Sequence, residues 1–155
     1  MKDKWQHRFL TLAKHISRWS KDTTKVGAVI VDPVTNQVVG LGYNGFPRGV
    51  DDSDERLLDR DTKLRLVVHA ELNAILNANR SVRGCHMYIY PTMMGPSCCP
   101  ECAKAIVQSG ITRVYGYVND ATNERWQALA AFSNILLTEG GVEYISIEEQ
   151  ENGCS

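Results

Sequence analysis

Three residues of this chain have the types and the spacing of a metal site: His69, Cys99 and Cys102. His69 opens one predicted helix, and Cys99-Pro100-Glu101-Cys102 opens the next. Cysteines three positions apart on a first helical turn point the same way, so both can ligate one ion. One imidazole and two thiolates are ligands that zinc prefers, and they leave a fourth coordination position for water. The sequence therefore predicts one catalytic Zn²⁺ ion per chain.

Glu71 stands two residues after His69, where its carboxylate can reach a metal-bound water rather than the metal. A carboxylate in that position takes a proton from the water and passes it to a leaving group. Hydrolytic deamination, in which water attacks a ring carbon and ammonia leaves, requires an acidified water and a group that transfers protons.

The same residues also fit a structural zinc site or a redox pair. A structural site requires a fourth protein ligand, and Cys85 and Cys98 are available for that role. An open site is favoured because the motifs stand in the order His-x-Glu and then Cys-x-x-Cys, which is typical of zinc nucleobase deaminases. Cys98 is an alternative to Cys99 as a ligand, although its four-residue step to Cys102 fits the motif less well.

Hydrophobic periodicity predicts the elements that must position these residues. Helices are predicted at about 69–79, 99–109 and 123–139, and strands at 26–31, 38–43, 87–90, 111–117 and 142–147. A first helix is predicted from apolar residues at helical spacing: Trp5, Phe9, Leu12, Ile16 and Trp19. The first two strands form an antiparallel hairpin, and the later alternation favours an α/β fold whose mixed sheet is largely parallel and covered on both faces. The polar stretch 48–63 is predicted as a solvated loop with a helical turn, and 148–155 as a flexible tail.

Composition places the chain among ordinary globular proteins. It has 155 residues, of which 43% are hydrophobic, and 17 basic against 18 acidic residues give a net charge of −1. This predicts a single domain over residues 1–155 and disfavours binding to nucleic acid, which usually requires a basic excess. No apolar run approaches the roughly 20 residues of a membrane span, and the N-terminus lacks the apolar core of a signal peptide. Three of the five cysteines fall within five positions, which favours metal binding in a reducing cytoplasm over disulfides.

The chain resembles the cytidine and deoxycytidylate deaminase superfamily, and within it the deoxycytidylate (dCMP) branch. Four stretches carry the resemblance: 20–28, 42–47, 68–75 and 99–104. His-Ala-Glu and Cys-x-x-Cys are common to the superfamily, whereas Gly-Tyr-Asn-Gly and the Ala-Lys after Cys102 are more particular to the dCMP branch. The resemblance implies a cytidine-deaminase-like three-layer α-β-α sandwich with a five-stranded mixed sheet.

The resemblance also implies roles for single residues. His69, Cys99 and Cys102 would hold zinc, and Glu71 would move protons during hydrolysis of dCMP to dUMP and ammonia, which supplies dUMP for thymidylate synthesis. Asn44 would contact the sugar, and the backbone at Ala70 would bind the base edge.

Partners follow from the same resemblance. Members of the dCMP branch form homo-oligomers, commonly hexamers, with dCTP as activator and dTTP as inhibitor. The turn Gly42-Tyr43-Asn44-Gly45 is implicated in the regulator site. A nucleotide substrate requires cationic or backbone contacts to its phosphate. Three cations stand near the motifs and are candidates for this contact: Lys25, Arg48 and Arg65. We take Lys25 as a substrate contact, although the sequence does not decide which of the three reaches the phosphate. No membrane or nucleic-acid partner is expected.

Three alternatives remain open at this stage. Other cytosine nucleotides or nucleosides, such as dCTP or cytidine, fit the same chemistry. A tRNA adenosine deaminase is disfavoured by the charge balance and by the 25 residues between Asn44 and His69. A non-enzymatic zinc-stabilised module is disfavoured by Glu71.

The chain departs from the family pattern at Cys98, where the family has proline, and in a longer loop at 91–98, which bears on substrate preference.

Overall fold

The computed structural model describes residues 2–92, 98–118 and 124–149. In these ranges the chain forms five strands and six helices. In chain order they are α1 (Lys2–Ser17), β1 (Gly27–Val31), β2 (Val38–Tyr43), α2 (Asp54–Leu58), α3 (Arg60–Leu66), α4 (Ala70–Leu76), β3 (His86–Tyr90), α5 (Pro100–Ser109), β4 (Arg113–Tyr117), α6 (Glu124–Glu139) and β5 (Glu143–Ile147).

The five strands form one mixed sheet in the order β2-β1-β3-β4-β5. The predicted hairpin of β1 and β2 is confirmed, with Gly27 opposite Tyr43. β1 also pairs antiparallel with β3, whereas β3 with β4 and β4 with β5 are parallel. The sheet is therefore mixed, as predicted, but its parallel part is limited to β3, β4 and β5.

Each face of the sheet is covered by helices. Successive residues of a strand point to opposite sides, so each strand contributes apolar side chains to two separate cores. Ala28 and Ile30 of β1 join the core beneath α4, α5 and α6. Val29 and Val31 join the second core, beneath α1. The predicted three-layer α-β-α sandwich is confirmed.

The first helix is confirmed, but its buried face and its end differ from the prediction. α1 ends at Ser17, so Trp19 lies beyond it and is 52% exposed, while Trp5 is 41% exposed. The face that packs on the sheet consists of Phe9, Leu10, Ala13 and Ile16.

The prediction of a loop at 48–63 is wrong in its second half. The chain there forms the two short helices α2 and α3, which bury none of their residues. Their charged composition hides the helical signal, because they contribute no apolar stripe to a core. Acidic residues in the first turns and basic residues in the last turns stabilise both helices through their dipoles.

The helix that begins after His69 is shorter than predicted. α4 ends at Leu76, three residues earlier than the predicted end at 79. In the predicted tail, Glu149 forms a 3.1 Å ion pair with Lys14 of α1. Residues 150–155, with Cys154, and residues 93–97 of the predicted long loop lie outside the described ranges. Among the described helices, none has the length and apolar character needed to cross a membrane.

Candidate active site

The predicted metal ligands meet where two helices begin. His69 is the N-cap of α4 and Cys99 is the N-cap of α5, whose first helical residue is Pro100. The Nδ1 atom of His69 lies 3.2 Å from Sγ of Cys99 and 3.3 Å from Sγ of Cys102. All three ligand atoms lie within 4.8 Å of one another, and they form the His/Cys metal group of the described residues.

These three side chains fit a zinc ion. A nitrogen and a sulfur on one zinc ion can lie no more than about 4.4 Å apart, and both nitrogen–sulfur distances satisfy this limit. Two thiolates and one imidazole are the donor set that zinc prefers over harder cations. Within the part of the chain that the structure describes, three protein ligands rather than four leave a coordination position for water, as a catalytic site requires.

The two cysteines differ in their affinity for protons. Hydrogen bonding from Cys102 lowers the pKa of the Cys99 thiol to about 4. The same contact, together with burial, raises the pKa of Cys102. The backbone N–H of Cys102 also donates to Sγ of Cys99 over 3.4 Å. Zinc binds cysteine as the thiolate, so metal binding at this pair is coupled to loss of thiol protons.

Glu71 lies in the first turn of α4, beside the ligands. Its side chain is buried, and burial raises the pKa of its carboxyl. A raised pKa makes this carboxylate a stronger base than an exposed glutamate, as a group that takes a proton from water requires.

Cys98 does not join the metal group. It is buried and lines the cavity next to Cys99, while His69 is grouped with Cys99 and Cys102. This arrangement agrees with the preferred ligand register rather than the alternative with Cys98.

The side chain of Asn44 takes part in three hydrogen bonds, of which it accepts one and donates two. Its Oδ1 accepts from the Val26 N–H over 2.9 Å. Its Nδ2 donates to the Thr24 carbonyl over 2.7 Å and to Asp22 over 3.5 Å. Both amide hydrogens are thus used, and one lone pair of Oδ1 remains for a donor on a ligand.

The turn that carries Asn44 is tied directly to the metal-binding segment. Gly45 and Val68 exchange two backbone hydrogen bonds, of 3.1 and 2.8 Å, immediately before His69. Gly42 faces α4 so closely that an added Cβ would overlap the backbone of Ala74. The absence of a side chain at Gly42 therefore serves the packing of β2 on α4.

A cavity of about 290 Å³ joins these residues. His69, Ala70, Glu71 and Cys99 line one part of it, and Asn44 lines another. Asp22 and Thr92 of this lining lie in two segments that the sequence analysis singles out, 20–28 and 91–98. Sequence reasoning missed other lining residues, among them Arg60, Lys63 and Tyr144, because none of the recognised motifs contains them.

The three cations considered from sequence lie elsewhere. Lys25 donates from its ammonium to the Ser20 carbonyl, and it is absent from the described lining of this cavity. Arg48 lines a second cavity, of about 780 Å³, and donates to Oδ1 of Asn77 over 2.7 Å. Arg65 lines neither cavity. The substrate contact of Lys25 stays a prediction.

Comparison with known proteins agrees with this geometry. Residues 3–118 match the family model described as the cytidine and deoxycytidylate deaminase zinc-binding region. Over 151 residues the chain is 40% identical to a deoxycytidylate deaminase of Pongo abelii, covering 90% of this chain and 78% of that protein. It is 38% identical over 149 residues to an uncharacterized deaminase of Aliivibrio fischeri, covering 92% and 93%. The apo structure of a dCMP deaminase from the cyanophage S-TIM5 superposes with a TM-score of 0.69 at 25% identity, covering 95% and 100%.

The fold and the His/Cys/Cys site with its buried glutamate define a zinc-dependent hydrolytic deaminase. The chain belongs to the cytidine and deoxycytidylate deaminase family. The predictions of an enzyme that hydrolyses a C–N bond and of zinc as its cofactor are confirmed.

Proposed function

We propose that this chain catalyses the hydrolytic deamination of dCMP to dUMP and ammonia. The observation that carries the proposal is the buried Glu71 beside the His69, Cys99 and Cys102 group, in a cavity that also contains Asn44. Relatives described as deoxycytidylate deaminases, at 38–40% identity over 90% of the chain, support dCMP as the substrate. The dUMP formed is the pyrimidine nucleotide required for thymidylate synthesis.

His69, Cys99 and Cys102 hold the metal in this proposal. When bound there, zinc acidifies a water molecule and so supplies a nucleophile near neutral pH. Glu71 takes a proton from the attacking water and delivers it to N3 as the C–O bond forms at C4 of the cytosine. It then passes the remaining proton of the new hydroxyl to the amino nitrogen, so that the C–N bond breaks, ammonia leaves and the C4 carbonyl of the uracil forms. The raised pKa of Glu71 suits both transfers.

Asn44 and Ala70 orient the nucleotide. The remaining lone pair on Oδ1 of Asn44 accepts a hydrogen bond from a sugar hydroxyl. The backbone of Ala70, which lines the cavity between His69 and Glu71, binds the edge of the base. In this proposal the preference for the deoxyribose sugar arises from close packing around Asn44, which is buried.

Regulation by nucleotides would act through the turn 42–45. Asn44 lines the cavity of about 290 Å³, whereas Gly42, Tyr43 and Gly45 line the cavity of about 780 Å³. A ligand in the larger cavity can shift the turn only if it binds the two states of the turn with different affinity. We infer dCTP as activator and dTTP as inhibitor, in a homo-oligomer for which a hexamer is favoured.

The chain carries these roles in one domain, and we infer a cytoplasmic location. Among the described residues, Cys85, Cys99 and Cys102 are thiols outside any disulfide. Zinc ligation requires Cys99 and Cys102 to stay reduced, and the cytoplasm keeps thiols reduced.

An ammonia-release assay across four substrates tests the proposal. The purified zinc enzyme is given dCMP, CMP, deoxycytidine and dCTP in turn. We expect the highest kcat/KM for dCMP. Equal kcat/KM values for dCMP and CMP, or no ammonia from dCMP, would overturn it. In the same assay, sigmoidal kinetics that dCTP makes hyperbolic and dTTP inhibits would support regulation, whereas hyperbolic kinetics insensitive to both would exclude it.

A further inference from the structure

The helix α3 borders the substrate cavity with one of its faces. Arg60, Lys63, Leu64 and the C-cap residue Val67 all line the cavity of about 290 Å³. Their spacing of three, four and seven residues from Arg60 defines a single helical face. This segment, whose C-cap Val67 stands two residues before the ligand His69, therefore forms a wall of the site.

Lys63 is already paired within this wall. Its Nζ lies 3.1 Å from Oδ1 of Asp22, and the two side chains are 16% and 5% exposed. Asp22 also accepts from the Thr24 N–H over 3.0 Å and from Nδ2 of Asn44 over 3.5 Å. The charge of Lys63 is thus compensated, and its ion pair fixes α3 against the turn that contains Asn44.

Arg60 differs from Lys63 in having no compensating partner. Within the described ranges, no ion pair or hydrogen bond joins its guanidinium to another residue. It is exposed at the cavity wall, one helical turn from Lys63. A guanidinium presents a planar set of donors that matches the oxygens of a phosphate.

We propose that Arg60 binds the 5′-phosphate of the substrate and thereby selects nucleotides over nucleosides. The assignment rests on the proposed deamination of a cytosine nucleotide. The base then lies at His69 and Glu71, the sugar at Asn44, and the phosphate at Arg60. Lys63 acts as a positioning residue, because its pair with Asp22 holds α3 beside Asn44.

Arg65 provides a matched control on the same helix. It has the same charge and is exposed like Arg60, but it does not line the cavity. Arg60→Gln and Arg65→Gln therefore change the net charge equally. A difference between them reports the position of the side chain and not the general electrostatics of the protein.

The experiment compares dCMP with deoxycytidine, which lacks the phosphate. We expect Arg60→Gln to lower kcat/KM for dCMP about 10- to 100-fold, mainly through KM, as is typical for loss of a hydrogen bond to a charged group. Its kcat/KM for deoxycytidine should stay unchanged, and Arg65→Gln should match the wild type with both substrates. An equal loss on both substrates, or no loss on dCMP, would overturn the assignment.

Binding of the product dUMP, measured by calorimetry on the zinc enzyme, provides a readout independent of turnover. We expect Arg60→Gln to weaken dUMP binding about 10- to 100-fold, while deoxyuridine binding does not change. A wild-type enzyme that binds dUMP through Arg60 but releases no ammonia from dCMP would contradict the proposed function alone. Equal dUMP affinity in the wild type and in Arg60→Gln would contradict the role of Arg60 alone.

Discussion

The hydroxyl oxygens of Thr92 and Tyr144 lie 3.3 Å apart and join the segment after β3 to the last strand, β5. Both residues line the substrate cavity. They meet over Gly116 of β4, where an added Cβ would overlap both hydroxyl groups. This part of the cavity wall therefore depends on a glycine in the buried strand β4.

Replacing Gly116 with alanine should force these hydroxyls apart. We expect Gly116→Ala to lower the free energy of unfolding by about 1–3 kcal/mol, the usual cost of overpacking a core, and to raise KM for dCMP. Urea denaturation measures the first effect. Gly45→Ala is the stability control, because no heavy atom lies within 4 Å of its added Cβ. Equal stability losses in the two variants would contradict the steric argument.

Removing the ammonium of Lys63 should leave the carboxylate of Asp22 buried without its cation. We expect Lys63→Met to lower the free energy of unfolding by about 2 kcal/mol, less than the cost for a fully buried pair because Lys63 is 16% exposed. The double variant Lys63→Met/Asp22→Asn should recover part of that loss, since the unpaired charge is gone. A double variant no more stable than Lys63→Met would show that the ion pair is not the cause.

The adjacent cysteines Cys98 and Cys99 should respond differently to substitution. Cys99→Ala removes a ligand that joins the N-termini of α4 and α5, so we expect loss of bound zinc and a lower Tm. Cys98→Ala should retain one zinc ion per chain. Zinc is measured by elemental analysis after dialysis against a weak chelator. Retention by Cys99→Ala together with loss from Cys98→Ala would reverse the ligand register.

The half-buried imidazole of His86 should make stability depend on pH. Burial lowers the pKa of His86 below its ordinary value near 6.5. The unfolded chain then binds this proton more readily, so stability is lost as the pH falls through the ordinary pKa of histidine and below it. We expect His86→Gln to flatten this part of the pH profile, measured by denaturation at several pH values. If His86→Gln lost as much stability as the wild type between neutral and mildly acidic pH, titration of His86 would not be the cause of the pH dependence.

The metal site was predictable because its information is local. His69 and Cys99 each cap a helix, and Cys102 follows one turn later, so the ligands are visible as two short motifs. The element order is likewise encoded in apolar runs and periodicity, which explains why all five strands were found within a few residues of their observed bounds.

The rest of the cavity depends on contacts that no local pattern records. Tyr144 reaches the site because β5 pairs in parallel with β4, which brings it beside the segment near Thr92. The sequence predicts a loop where α3 forms, because the residues of α3 pack no apolar stripe into the core. Its role follows only from the ion pair with Asp22 and from the shape of the cavity.

The central claim is that zinc and Glu71 together convert dCMP to dUMP. The most direct test is dUMP formation by the wild type and by Glu71→Gln, each with its zinc content measured in the same sample. We predict that the wild type forms dUMP and ammonia in equal amounts. Glu71→Gln should keep its zinc and lose at least about 10²–10⁴-fold in kcat, because the proton transfers lack their carboxylate. A zinc-loaded Glu71→Gln enzyme that turns over dCMP near the wild-type rate would contradict the account.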